Sequence, residues 1–225
     1  MLSTPARCWL CHLPLQIAHH GLCTLCLHQL PLLPALCPCC GLPATAAQRC
    51  GRCLRQPPPW HRLTCVSDYT PPLSDWVQQL KFSGAIALRV MLARLLLLKL
   101  LTTRRNEPAT AFDLVLSVPL HHQRAWQRGF NQSALLAQPL ARWLRCEYRE
   151  GVSRIRRGST QHQLNARARR HNLRSAFRLE MPVQDRHILL IDDVVTTGST
   201  VAEISRLLQA EGAASIHIGC LCRTL

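Results

Sequence analysis

Lysine is almost absent from this chain. Of its 225 residues only Lys81 and Lys99 are lysines, so the 27 basic side chains set against 12 acids are nearly all arginine. The scarcity of acids leaves a formal charge of +15 and a pI near 10.0. That balance favours polyanionic partners, since arginine's planar fork suits phosphate. Aromatic residues make up 5%, too few for a row of base-stacking platforms, so aliphatic side chains must build the core. Long apolar runs are missing as well. The longest, Ile86 to Leu101, is broken by Arg89, Arg94 and Lys99, whereas a membrane span needs roughly 18 unbroken apolar residues. No membrane insertion is expected. Met1 to Arg7 lacks a basic start followed by an apolar stretch, so no secretory signal is read and a cytoplasmic location is expected.

What the chain does have is cysteine. It carries thirteen, ten of them before residue 66. In a reducing compartment such a cluster points to metal ligation and not to disulfides. The order is Cys8-x-x-Cys11, Cys23-x-x-Cys26, Cys37-x-x-Cys40 and Cys50-x-x-Cys53. Each CxxC makes a tight knuckle offering two thiolates, and two knuckles complete a tetrahedron, the spacing of zinc ribbons. Two structural zinc ions are expected. Sequential pairing is the simplest arrangement, and a cross-braced one stays open. Cys39 is surplus, because adjacent Cys39 and Cys40 chelate poorly together. Gly41 and Gly51 stand where the knuckle backbone turns sharply. Cys65, Cys146, Cys220 and Cys222 read as core thiols.

With 48% hydrophobic residues the rest of the chain can bury a core. Three segments are expected: a Cys-rich double zinc ribbon over 1–56, a linker and helical segment joining the core over 57–110, and an α/β domain over 111–225. The stiff stretch Gln56-Pro57-Pro58-Pro59-Trp60 marks the first boundary. Helices are expected over Ser74–Leu80 and Ala85–Leu101, and over Asn131–Leu144 with a kink or break at Pro139. Buried strands are expected over Phe112–Val118, His187–Ile191 and Ser215–Cys222, and a helix from Thr200 to Glu211. Strand, turn, helix and strand in that order imply a doubly wound parallel sheet.

The richest segment is Ile188-Leu189-Leu190-Ile191-Asp192-Asp193-Val194-Val195-Thr196-Thr197-Gly198-Ser199-Thr200. A buried strand delivers Asp192 and Asp193 to its C-terminal end, where open α/β sheets bind ligands. Paired acids can accept hydrogen bonds from vicinal ribose hydroxyls. The hydroxyl-rich turn and helix start beyond them offer N–H groups to a phosphate. A plain capping turn explains one acid and one threonine, but not the whole string. The segment closely resembles the phosphoribosyl pyrophosphate (PRPP) motif of type I phosphoribosyltransferases. By that resemblance Asp192 and Asp193 hold the ribose and are the catalytic pair, Thr196, Thr197, Gly198, Ser199 and Thr200 cradle the 5′-phosphate, and magnesium accompanies PRPP.

Upstream, Ser117-Val118-Pro119-Leu120-His121, Arg124 and Arg128-Gly129-Phe130-Asn131-Gln132-Ser133 resemble the pyrophosphate loop and hallmark string of the ComF family of competence-related proteins. The resemblance covers nearly the whole chain. It implies a type I phosphoribosyltransferase-like fold behind a double zinc ribbon. It assigns Pro119, Leu120, His121, Arg124, Arg128 and Gly129 to pyrophosphate, and a role in using external DNA beside the DNA-uptake machinery. The aperiodic, basic stretch Arg156 to Arg174 would be the hood over the site. A charge run alone is usually a solvated face. Here thirteen arginines against two acids between His121 and Arg178 make a field suited to single-stranded DNA, with Arg167, Arg169 and Arg170 as its centre. Two functions follow: a transferase of unidentified acceptor, or a non-catalytic DNA-binding or regulatory module, tied to competence or gluconate, that keeps the phosphosugar site.

Overall fold

The computed structural model describes residues 6–82, 84–104, 111–120, 129–155 and 176–224. In chain order, the Cys-rich segment holds a 3-10 turn at Ala18–His20 and two short α-helices, α1 (Thr24–His28) and α2 (Gly51–Arg55). Then come β1 (Arg62–Asp68), α3 (Leu73–Phe82), α4 (Leu88–Arg104), β2 (Leu114–Ser117) and α5 (Gln132–Leu144). After these follow β3 (Glu147–Arg149), β4 (Val152–Arg154), β5 (Phe177–Leu179), β6 (His187–Val195), α6 (Ser199–Ala210) and β7 (Ser215–Arg223).

Five strands form one parallel sheet in the order β1-β7-β6-β2-β3. β4 and β5 make a separate antiparallel pair. The central strands read as continuous apolar runs because both their faces are covered. Ile188 and Leu190 of β6 join Leu116, Ile218 and the inner stripe of α6, Val201, Ile204 and Leu208. Leu189 and Ile191 turn the other way, onto a core with Val115, Leu221 and the buried faces of α3, α4 and α5. Helices on both faces make the sheet doubly wound, as the strand–helix alternation implies.

Three differences from the expectations are informative. β1 lies within 57–110, where only linker and helix are expected. Its sequence, RLTCVSD, has no apolar run, and Leu63, Thr64, Cys65 and Ser67 are buried through distant pairing with β7. No break occurs at Pro139. Asn131 caps α5 by accepting the Ser133 N–H at 3.0 Å, and Leu136, Ala137, Leu140 and Ala141 are buried on both sides of the proline, so packing holds the helix together. Gly51 opens α2, while Gly41 does adopt the left-handed backbone, with φ +69°.

Candidate functional site

β6 continues through both acids to Val195, so Asp192 and Asp193 sit in the second half of a strand, not in the turn after it. Asp192 Oδ1 accepts the Asp193 N–H at 2.9 Å and the Ser133 hydroxyl, from the first turn of α5, at 3.2 Å. Asp193 Oδ1 accepts the Val194 N–H at 2.7 Å, and its Oδ2 lies 2.7 Å from Lys81 Nζ on α3. Burial and then the neighbouring Asp193 charge push the Asp192 carboxyl up to about 7. The Asp193 N–H, Lys81 and Ser133 pull against that rise. Two adjacent carboxylates served by one lysine form an acid pair poised to share a proton, a cation or hydroxyl donors.

Past the acids the chain turns through Thr196 and Thr197, both exposed, to Gly198. Gly198 takes φ +75° as the residue before α6, which has no side-chain cap, so the first-turn N–H groups and the helix dipole face outward. The Thr197 and Ser199 hydroxyls lie 2.8 Å apart, and Ser199 N–H donates to Thr197 Oγ1 at 3.3 Å. The structure therefore brings the two acids and the five cradle residues together at the C-terminal edge of the sheet.

At the next strand end, Pro119 and Leu120 follow β2 half-buried, and Asn131 Nδ2 donates to the Val118 carbonyl at 3.0 Å. Gly129 has φ +72°. His121, Arg124 and Arg128 lie outside the described residues, as do Arg167, Arg169 and Arg170. Three residues here were not among the expected site residues. Lys81 belongs to a helix distant in sequence. Ser133 and Gln132 are buried at the start of α5, and both polar atoms of the Gln132 side chain lack a hydrogen-bond partner. A buried polar residue at a helix start was the available signal.

The cysteines group sequentially: Cys8, Cys11, Cys23 and Cys26 in one cluster, Cys37, Cys40, Cys50 and Cys53 in the other. The sulfurs of each cluster lie within 4.8 Å of one another. Cys11 and Cys23 Sγ are 3.8 Å apart, Cys40 and Cys50 Sγ 3.7 Å. Zinc held by sulfurs at roughly 2.3 Å gives tetrahedral edges of roughly 3.8 Å, so both sets fit a closed structural zinc site. Cys39 stands apart, its Sγ directed to the His61 carbonyl. Backbone N–H groups support the thiolates, Cys23 N to Cys8 Sγ at 3.4 Å and Cys50 N to Cys37 Sγ at 3.3 Å. Burial raises Cys8 and Cys37, but the N–H groups around them outweigh it and bring both thiols down to about 6. No helix among the described residues is long and apolar enough to cross a membrane.

Comparison with known proteins agrees with this division. Residues 131–225 match the phosphoribosyl transferase domain and residues 2–54 the double zinc ribbon domain. The chain is 54% identical to the DNA utilization protein YhgH of Escherichia coli (strain K12), over 100% of both chains. It is 53% identical to the protein of that name in Salmonella typhimurium, again over 100% of both. With competence protein F of Haemophilus influenzae it shares 39% identity over 96% of each chain.

Proposed function

Because this chain belongs to the ComF family, with a phosphoribosyl transferase domain behind a double zinc ribbon, we propose that it binds PRPP or a related phosphosugar with magnesium and serves the use of external DNA. One observation carries the reading: the adjacent carboxylates of Asp192 and Asp193 lie in the second half of the same strand that leads, through Gly198, into the start of α6. A ribose 5-phosphate can span that distance, its hydroxyls donating to the acids and its phosphate accepting N–H and hydroxyl donors from Thr196 to Thr200. The acids must be ionised for this, and Lys81 Nζ stands 2.7 Å from Asp193 Oδ2. Ser133 orients Asp192 from α5. Magnesium would offset the diphosphate charge. Displacement of pyrophosphate at the ribose C1 would then be a matter of positioning and charge stabilisation.

Calorimetry with PRPP and magnesium tests the site. The Asp192→Ala/Asp193→Ala double variant should weaken binding by about 2–4 kcal/mol, since hydrogen bonds to charged groups contribute about 1.5–3 each and add imperfectly. Undiminished binding by the folded double variant would sink the assignment. Pyrophosphate release with candidate acceptors separates a transferase from a binding module. The arginine excess between His121 and Arg178 favours single-stranded DNA as the module's partner. If about five phosphates are contacted, affinity should fall with salt at a log–log slope of roughly −3.5, and reversing Arg167, Arg169 and Arg170 to Glu should flatten it.

A further inference from the structure

We propose that Arg223 is a positioning residue that couples the second cysteine cluster to the loop after β6, so that metal occupancy of that cluster sets the shape of the cradle over residues 196–200. The phosphosugar reading supplies what the cradle would hold; the coupling itself stands on the contacts.

Arg223 ends β7 and is 6% exposed. Burying a guanidinium is costly unless its donors are used and its charge is compensated. Its Nε donates to the Cys40 carbonyl at 3.0 Å. Its Nη1 donates to the carbonyls of Val195 and Thr224, at 3.0 Å each, and to that of Thr196. Thr224 N–H returns to the Val195 carbonyl at 3.1 Å. One side chain thus joins the backbone of a metal ligand to the two residues that open the cradle. Among the described residues no carboxylate pairs with it. Four thiolates outweigh the dication they hold, so a metal-loaded cluster is net negative and can offset the buried guanidinium.

The same knuckle is tied at every step. The Pro38 carbonyl accepts the Leu63 N–H at 2.8 Å, the Cys39 carbonyl the Trp60 Nε1–H at 2.5 Å, and the Cys40 carbonyl Arg223. Trp60 also reaches the cradle, for a Cβ on Gly198 would stand 3.4 Å from its ring. Among the described residues the matching carbonyls of Trp9, Leu10 and Cys11 in the first ribbon have no such partners. Without metal, the sulfurs no longer anchor the second knuckle, and only the bonds of its own turn, Cys37 N–H to the Leu42 carbonyl and Gly41 N–H to the Cys37 carbonyl, are left to hold those three carbonyls in line. Arg223 and Trp60 then lose fixed acceptors on one side and cease to fix the loop on the other.

Hydrogen exchange of the backbone amides that close on the loop's own carbonyls, Thr224 N–H on Val195 and Ala202 N–H on Gly198, read by mass spectrometry on the full chain, tests this without any ligand. Arg223→Met should speed exchange there by about tenfold or more while both metals stay bound, and Cys50→Ser should do the same with one zinc lost. Cys11→Ser should lose one zinc and leave the loop unchanged. If Arg223→Met fails to fold, stripping the unmodified chain with chelator and returning zinc should restore loop protection only as the second cluster fills. Unchanged loop exchange in Cys50→Ser, or an equal rise in Cys11→Ser, would overturn the coupling. PRPP calorimetry on the same proteins separates the two readings. If the unmodified chain binds no PRPP while the exchange pattern holds, the phosphosugar reading falls and the coupling stands.

Discussion

The two ribbons are near copies that differ in what they are fastened to. In each, the first cysteine N–H donates to a leucine carbonyl five residues on, Leu13 or Leu42, and its carbonyl accepts an N–H from His12 or Gly41. Each has one isolated antiparallel bridge, Arg7 to Pro14 and Leu36 to Pro43. Each starts a five-residue helix at its third cysteine. Outside that shared frame they part. Cys8, Leu22 and Cys26 merge into the main core beside Met91 of α4, whereas Cys37, Cys39 and Cys53 form a small core of their own. The first ribbon stabilises the α4 layer; the second meets β1 and the edge of the candidate site. Equal internal geometry therefore does not imply equal roles.

The largest expected effects come from removing equivalent ligands. Apparent zinc affinities in such sites amount to about 10–16 kcal/mol, comparable to the whole stability of a domain, about 5–15. Cys8→Ser and Cys37→Ser should each lose about one zinc by elemental analysis. Calorimetric melting should show a larger fall for Cys8→Ser, whose sulfur lies in the main core. If Cys37→Ser destabilises the sheet as much, the separation of the two cores is wrong.

A smaller effect tests the docking. Gly41 has φ +69°, and a Cβ there would come within 2.6 Å of Leu63 Cδ2 on β1. Gly41→Ala should cost about 2–3 kcal/mol in denaturant unfolding, from the left-handed backbone and the displaced leucine. It should also raise exchange in the Trp60–Leu63 segment.

Much of this was legible in the sequence. Four CxxC pairs announced the ribbons, and Ile188 to Thr200 announced a strand carrying two acids and the turn into a helix, because local spacing encodes both. What was not legible depends on long-range contact. β1 is a polar heptad that becomes a strand only beside β7. Lys81 meets Asp193 only once α3 lies across the sheet. Arg223 looks like a terminal surface charge until Cys40 and Val195 converge on it. The cysteine pairing, open from spacing alone, was settled by which knuckles pack together.

The acid pair should be indifferent to the first ribbon, and pH shows whether it is. Asp192 is raised from an ordinary 3.8 to about 7 by burial and by Asp193. The folded chain therefore holds its proton more tightly than the unfolded one, and this residue's contribution to stability falls as pH rises from about 3.8 to about 7. Binding of ribose hydroxyls should run the opposite way, since it needs the ionised form. PRPP affinity should rise by about tenfold between about pH 6 and about pH 8. Asp192→Asn should flatten the part that the ligand's own phosphates do not explain. Lys81→Met removes a cation that lowers Asp192 and should move the midpoint up, whereas Cys11→Ser should leave it in place.

The smallest effect lies at His12, which occupies the place that Gly41 holds in the other ribbon. Its φ is +59°, a conformation unfavourable for a residue with a Cβ. Among the described residues nothing docks on it: His12 is exposed, while its backbone N–H serves the Cys8 carbonyl at 2.9 Å and its carbonyl accepts Arg7 Nη1 at 3.4 Å. Glycine keeps both backbone bonds and removes the steric cost, but it frees the unfolded chain. The two terms nearly offset, so His12→Gly should change stability by less than about 1 kcal/mol, in the stabilising direction, with two zinc ions retained. The same position thus tolerates a side chain in one ribbon and forbids it in the other, because only the second ribbon is pressed against a strand. A loss of more than about 1 kcal/mol in denaturant unfolding of His12→Gly would mean that the imidazole packs or ligates, and that the first ribbon's outer face is not free.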